Sequence, residues 1–134
     1  MKKLDVTILM PCLNEELCLP YSINKAKKFL KKKRLRGEIL ISDNGSTDNS
    51  IYVAKKNGCR IINTKTKGYG AALKNGINNA KSNIVIFADA DGSYDFSRIE
   101  IFYEKLKSGY AFVIGDRFGG EIKKNAMPFL HKYL

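Results

Sequence analysis

The sequence predicts an α/β fold: a mostly parallel sheet with helices on both faces. Three observations carry that prediction. Short apolar runs alternate with segments of helical period along all 134 residues. No linker or internal repeat interrupts the alternation, so residues 1–134 read as one domain, and a hydrophobic fraction of 44% supplies its core. Asp, Asn, Gly and Ser gather just after each apolar run, at the carboxyl ends of strands, where open α/β sheets bind their ligands.

Taken in order, a first strand over Val6 to Met10 runs into "PCLNEE". Leu19, Ile23, Ala26 and Leu30 then recur at helical spacing, which turns the lysines of "KAKKFLKKKRLR" outward. A second strand, Glu38 to Ser42, leads into "SDNGSTDNS", and a helix follows from Ser46 or Thr47 to Gly58. The third strand, Arg60 to Asn63, enters "NTKTKGYG" and a helix with Leu73, Ile77 and Ala80 on one face. The fourth, Ile84 to Ala88, ends in "ADADGSYD". Ser97 and Glu100 have capping-box spacing for the next helix, whose inner face carries Ile99, Phe102 and Leu106 and whose stop is Gly109. A fifth strand, Ala111 to Ile114, meets "GDRFGG". Each polar strand end alone is an ordinary turn signal. Five at one sheet edge point to a site.

Charge and cysteine content narrow the classes. The chain has 24 basic and 13 acidic residues, a net charge of +11, with eight of the basic ones between Lys25 and Arg36. Such a block suits a solvated helix face, an anionic membrane or nucleic acid. With one phenylalanine in the block and no reading motif, no nucleic acid is expected as a partner. Cys12, Cys18 and Cys59 form no CxxC pair and no even framework, which fits a reducing, cytoplasmic setting. "MKKLDVTILMPCLNEE" is broken by Asp5 and reads as a strand rather than a signal peptide. No apolar run approaches the roughly 20 residues of a membrane span, so a soluble domain is expected.

The strand ends also exclude several ligand motifs. "MPCLNEE" lacks the glycines of a dinucleotide fingerprint, "GYGAALKNG" follows the wrong strand and lacks the third glycine in register, and there is no P-loop. Asp89, Asp91, Ser93, Asp95 and Glu100 have EF-hand spacing, but Tyr94 stands where that loop needs glycine, and a strand precedes it. In extended backbone, residues two apart point to one side, so Asp89 and Asp91 can aim both carboxylates at one point. A hard divalent cation, Mg²⁺ or Mn²⁺, resolves their repulsion and leaves room for phosphate oxygens. The plainer alternative is an Asp-Gly turn with solvated acids.

"VTILMPCLNEE", "SDNGSTDNS", "KGYGAALKNG", "ADADGSY" and "GDRFGGEIKKNAMPFLHKYL", in this order, resemble the nucleotide-sugar domain of family-2 glycosyltransferases with the GT-A (Rossmann-like) fold. The nearest likeness is to the polyprenyl-phosphate group, the dolichyl-phosphate mannose and glucose synthases. The resemblance implies that Pro11, Leu13, Asn14 and Glu15, with Asp43, enclose the base and ribose. It also implies that Lys67, Gly68 and Gly70 let backbone approach the nucleotide. Asp89 would face the ribose and share the metal, Ala90 would leave room, Asp91 would bind the metal directly, and Arg117 would hold a phosphate or else pair with Asp116 or Glu121.

The implied reaction is metal-dependent, inverting transfer from a UDP- or GDP-linked sugar to a polyprenyl phosphate at the cytosolic membrane face. Leu13 where relatives often have an aromatic, Asn44 in place of a second acid and Ser93 in place of a glutamine leave the donor open between UDP and GDP. The ending "AMPFLHKYL" leans towards UDP. An acceptor phosphate needs no protein base, whereas a hydroxyl would need one. His131 is a candidate for that role or a packed residue, and Lys123, Lys124, His131 and Lys132 could draw an anionic headgroup. Such relatives continue beyond the equivalent of Leu134, so acceptor-side structure is expected elsewhere, on further chain or on a partner. Two other readings stay open: a non-catalytic nucleotide-sugar module or inactive fragment, and a basic domain for nucleic acid or membrane.

Overall fold

The computed structural model describes residues 4–87, 99–109, 114–115 and 122–123, in two compact units, residues 1–97 and 98–134. The first unit is built in the order β1 (Val6–Cys12), α1 (Leu19–Lys33), β2 (Gly37–Asp43), α2 (Ser50–Lys56), β3 (Arg60–Asn63), α3 (Tyr69–Asn79) and β4 (Val85–Phe87). Its four strands lie in the order β3-β2-β1-β4 and pair in parallel throughout. β1 and β2 run in register from Val6 opposite Gly37 to Cys12 opposite Asp43. Both strands are longer than expected, because the ladder runs on through Pro11 opposite Ser42 to Cys12 opposite Asp43.

Side-chain parity shows why β1 is buried along its whole length. Val6 and Leu30 of α1 both crowd the space above Gly37, whereas Leu9, of opposite parity, meets Gly76 of α3. Helices therefore cover both faces. Val6, Ile8, Leu9, Met10, Leu40 and Ile41 are at most 1% exposed, and each contributes about 1.5–3 kcal/mol by leaving water. On the α3 face a directed hydroxyl relay joins helix to sheet: Asn75 donates to Thr64 (2.9 Å), and Ser42 donates to the carbonyl of Ala72 (2.7 Å). The 2.8 Å contact between Thr64 and Ser42 then has Thr64 as donor, since the single Ser42 proton is committed.

α1 opens on Pro20, whose fixed φ suits a first helical turn, and closes with Arg34 in the left-handed region (φ 54°). There the amide of Leu35 reaches back to the carbonyl of Leu30 (3.0 Å). Leu19, Ile23 and Ala26 are buried as expected, joined by Ser22 and Phe29.

At the amino edge of the sheet, Glu38 is a partly buried polar hub, with a side chain 10% exposed. It accepts from Arg60 at both oxygens (2.7 and 3.0 Å), from Thr7 (2.9 Å) and from the amide of Lys81 (2.9 Å). Burial alone would raise its pKa, but bonds from Arg60, the Lys81 amide and Thr7, with the guanidinium charge, hold it below the usual carboxylate value. Because the folded pKa is depressed, this contribution is present above the unfolded value of about 4.3 and is lost as pH falls through the folded value. Glu38→Gln is expected to cost about 1–3 kcal/mol at pH 7. Urea unfolding of both proteins should show the gap narrowing at pH 3.5; a gap independent of pH would contradict this role.

Two expectations need correction. The second helix begins at Ser50, not at Ser46 or Thr47, because residues 46–49 are held in a loop by Asn14 and Asp43. The buried face of α3 is Ala72 and Gly76, while Ile77 is 44% exposed: the helix is rotated so that its smallest residues meet the sheet. Of the expected fifth strand, Ala111 to Ile114, only Ile114 is among the described residues. β5 (Ile114–Gly115) pairs antiparallel with β6 (Ile122–Lys123), as six intervening residues allow a hairpin but no parallel crossover. The second unit also holds α4 (Ile99–Lys107), with Ile99 and Tyr103 buried and Gly109 at φ +112° after its end. Among the described residues no helix is long and apolar enough to cross a membrane.

Candidate functional site

Three loops leave the carboxyl ends of β1, β2 and β3, and they are bonded to one another rather than left open. Asn14 takes the left-handed conformation (φ 53°), which asparagine tolerates. Its Oδ1 accepts from the amides of Thr47 (2.8 Å) and Asp48 (3.2 Å), and its own amide donates to Ser46 Oγ (2.9 Å). The Glu15 amide donates to Ser50 Oγ (2.8 Å) and the Glu16 amide to Asp48 Oδ2 (3.1 Å), while Asp48 Oδ1 takes the Ser50 amide at the start of α2 (2.9 Å). The first two loops form one bracket.

Asp43 ends β2 and is 2% exposed. Its carboxylate accepts from the amides of Gly45 (3.1 Å) and Ser46 (2.9 Å) and from Ser46 Oγ (2.6 Å). A carboxylate offers about four acceptor positions, so the loop engages most of them. Next to it, Asn44 (5% exposed) reaches the third loop with both ends of its amide. Nδ2 donates to the carbonyls of Thr64 (3.0 Å) and Thr66 (2.8 Å), and Oδ1 accepts from the amide of Gly68 (2.8 Å). Lys67 Nζ returns to the carbonyl of Asn44 (3.2 Å) and sits over Gly45, where a Cβ would come within 2.5 Å of it. Gly45 (φ +97°) and Gly68 (φ +117°) occupy backbone that side chains rarely adopt.

Of the residues expected at the site, Asn14, Glu15, Asp43, Lys67, Gly68 and Gly70 thus lie on these loops or on the first turn of α3. Pro11 is buried within β1, on the parity that faces α3, and Leu13 projects at 49% exposure. Asp89, Ala90, Asp91, Arg117, Lys124 and His131 lie outside the described residues, as do Ser93 and Ser97. β4 ends at Phe87, two residues before Asp89 in the sequence, on the strand that pairs with β1 at Leu9. Among the described residues no group of three or more His, Cys, Asp or Glu is placed to hold a metal. The donor set chemistry of the Asp89/Asp91 pair, two hard carboxylates, fits Mg²⁺ or Mn²⁺.

Burial, with the negative charge of Asp43 adding to it, pushes the Cys12 thiol above its usual pKa, although Ser50 and Ser46 pull the other way. Cys12 is therefore kept as a thiol and offers no nucleophile. The sequence pattern assigned no loop-bracing bond to Asn44, Ser46, Asp48 or Ser50, and Ser46 was expected only as a helix start. The signal was available in "SDNGSTDNS", since Asn, Asp and Ser in such runs bond to backbone amides two or three residues away.

Comparison with known proteins agrees with this arrangement. The model of glycosyl transferase family 2 matches residues 7–133. The low-salt glycan biosynthesis hexosyltransferase Agl6 of Haloferax volcanii is 32% identical over 130 residues, which cover 96% of this chain and 31% of that protein. The human dolichyl-phosphate beta-glucosyltransferase is 31% identical over 118 residues, 78% of this chain and 35% of the relative. The chain thus spans about a third of the length of these relatives. Among solved structures, glucosyl-3-phosphoglycerate synthase of Mycobacterium tuberculosis in complex with UDP superposes with a TM-score of 0.58 at 25% identity, over 66% of this chain and 34% of the other. With the parallel sheet, its bonded strand-end loops and a family match along nearly the whole sequence, the chain belongs to glycosyl transferase family 2 and has the GT-A fold.

Proposed function

We propose that this chain is the donor-binding part of an inverting glycosyltransferase that moves a hexose from a nucleotide sugar, UDP-linked before GDP-linked, to a polyprenyl phosphate. The observation that carries the reading is the bonding of three strand-end loops into one edge by Asn14 and Asn44, with Asp43 pinning the second loop from within. Such an edge is pre-organised for a ligand. UDP is favoured because a 25% identical neighbour was crystallised with it, and the lipid phosphate because relatives named for dolichyl phosphate align with most of the chain.

In this reading the β1–α1 and β2–α2 loops receive the base and ribose, with Leu13 as the exposed apolar contact and Asp43 as the acceptor for the base. Lys67 leaves the Asn44 carbonyl for the donor's diphosphate. Asp89 and Asp91 would hold Mg²⁺ or Mn²⁺, which when bound offsets negative charge on the departing nucleoside diphosphate. Arg117 holds a phosphate of donor or acceptor. The acceptor oxygen is already anionic at neutral pH, so attack opposite the leaving group needs no protein base, and the anomeric carbon inverts. The work would take place at the cytosolic membrane face, with acceptor-side structure supplied by further chain or by a partner.

Calorimetric titration with UDP and with GDP, each with and without Mn²⁺, on wild type and Asp91→Asn, tests this. One nucleotide is expected to bind in the presence of the metal, and Asp91→Asn should lower its affinity at least tenfold. Binding without glycosyl transfer to a polyprenyl phosphate would favour a donor-binding module. No metal-dependent binding of either nucleotide would overturn both.

A further inference from the structure

α1 carries a surface that the donor site does not use. From Leu17 to Gly37 the sequence has eight basic residues and no acidic one. The buried residues Leu19, Ser22, Ile23, Ala26 and Phe29 fix the helix's rotation, which leaves Tyr21, Lys28 and Lys32 on one outer stripe (i, i+7, i+11) with Lys27 and Lys31 beside it. All five are exposed. Apolar residues stand at one end of the stripe: Leu17, in the turn just before α1, is 90% exposed and Tyr21 55%, and the ammonium of Lys25 lies 5.4 Å from the centre of the Tyr21 ring. On α2, which packs against α1, Tyr52 is 65% exposed.

This distribution has a direction. Leu17 follows Glu16, whose amide is bonded to Asp48 of the candidate site, so the apolar end of the stripe adjoins the loops. The lysines continue away from it along the helix. A solvated face accounts for the lysines, and single exposed apolar residues are ordinary on it, but it gives no reason for Leu17 and Tyr21 to adjoin at the end next to the loops. Nucleic acid would be served by aromatics interleaved with the cations rather than gathered at one end. An interface with anionic lipid accommodates both parts, since Leu and Tyr enter the headgroup boundary while lysines meet lipid phosphates.

We propose that the outer face of α1 docks this chain on an anionic bilayer, Leu17 and Tyr21 inserting at the end next to the donor loops and Lys27, Lys28, Lys31 and Lys32 lying along the headgroups. The proposal rests on the glycosyltransferase reading only for the reason a membrane is near; the surface itself stands on α1. It places the loops at the water–lipid boundary, where a lipid phosphate is presented.

The test is co-sedimentation of the full chain with phosphatidylcholine vesicles containing 30% phosphatidylglycerol, compared with pure phosphatidylcholine and repeated across salt concentration. Such vesicles contain no polyprenyl phosphate, so acceptor recognition does not enter. Binding is expected only to the anionic vesicles and should weaken with salt. Each lysine replaced should cost roughly fivefold, so the variant with Lys27, Lys28, Lys31 and Lys32 all changed to Gln should lose on the order of a hundredfold or more in partitioning. Leu17→Ser with Tyr21→Ser should lower partitioning while preserving its salt dependence. Circular dichroism and nucleotide titration of each variant separate loss of the surface from loss of fold.

No binding to anionic vesicles, or binding unchanged in the four-lysine variant, would overturn the proposal. Tighter binding to a single-stranded oligonucleotide than to vesicles would overturn it in favour of nucleic acid. A chain that binds vesicles but no nucleotide would sink the donor-site reading alone, and the reverse result would sink this one alone.

Discussion

Asn44→Asp should lower stability by about 2–4 kcal/mol at pH 7.5 and release the loop that carries Lys67. The substitution preserves shape, so no cavity opens, and the Gly68 amide still meets an oxygen. What changes is the other end of the side chain. Thr64 and Thr66 present carbonyl oxygens to Asn44 Nδ2 at 3.0 and 2.8 Å, and a carboxylate would face both with a lone pair. At 5% exposure, water cannot readily take over. The introduced carboxyl would be driven to bind a proton, so its folded pKa lies above the unfolded value of about 3.9. Between those two values the folded state binds more protons, and stability falls as pH rises.

The variant's deficit should therefore be smaller at pH 4, where the single carboxyl O–H serves one of the two carbonyls, and full at pH 7.5. Asn44→Ala, which loses all three side-chain bonds, should show a deficit independent of pH. Urea unfolding at both pH values distinguishes them, and equal deficits for Asn44→Asp would refute the donor role of Nδ2. If the loop serves the donor site as proposed, nucleotide affinity should fall at least tenfold in both variants even where most of the protein is folded. Unchanged affinity in the folded fraction would confine Asn44 to stability.

The contrast between Asn44 and Asp43 marks what could be read from the sequence. Four strands, their parallel pairing and the edge at which polar residues collect follow from one-dimensional signals: apolar runs such as "VTILM" and turn residues directly behind them. Asp43 was expected at the site through family likeness alone. That it is also bonded three times by its own loop depends on the path of residues 44–46, which no periodicity specifies. The late start of α2 has the same origin: a backbone with helical propensity at Ser46 is diverted by Asn14, 32 positions earlier in the chain. Asp89 and Asp91, proposed for the metal, and Arg117, proposed for a phosphate, are motif positions that lie outside the described residues.

The rotation of α3 is the other feature hidden from its pattern, and it leads to the largest packing effect. Leu73, Ile77 and Ala80 look like the inner face, yet the sheet selects Ala72 and Gly76 because Leu9 already fills the space above it. A Cβ on Gly76 would overlap Leu9 Cδ1 and lie 2.6 Å from Cδ2 and 3.0 Å from Cγ. Leu9 is fully buried in an inner strand, so its Cγ has nowhere to retreat. Gly76→Ala is expected to cost about 1–3 kcal/mol through overpacking, even though alanine favours a helix by about 1 kcal/mol over glycine. Gly76→Val should cost more. Leu9→Ala alone should cost about 2–5 kcal/mol, the loss of transfer energy plus a cavity. In the double variant the new methyl enters the space that the leucine vacates, so the combined loss should fall below the sum of the single losses by about 1–2 kcal/mol. Strict additivity in urea unfolding would mean that the two residues do not share this space. A sub-additive result would establish that the smallness of residue 76, rather than the apolar stripe beside it, sets how α3 lies on the sheet and therefore where its first turn, with Tyr69 and Gly70, stands beside the loops.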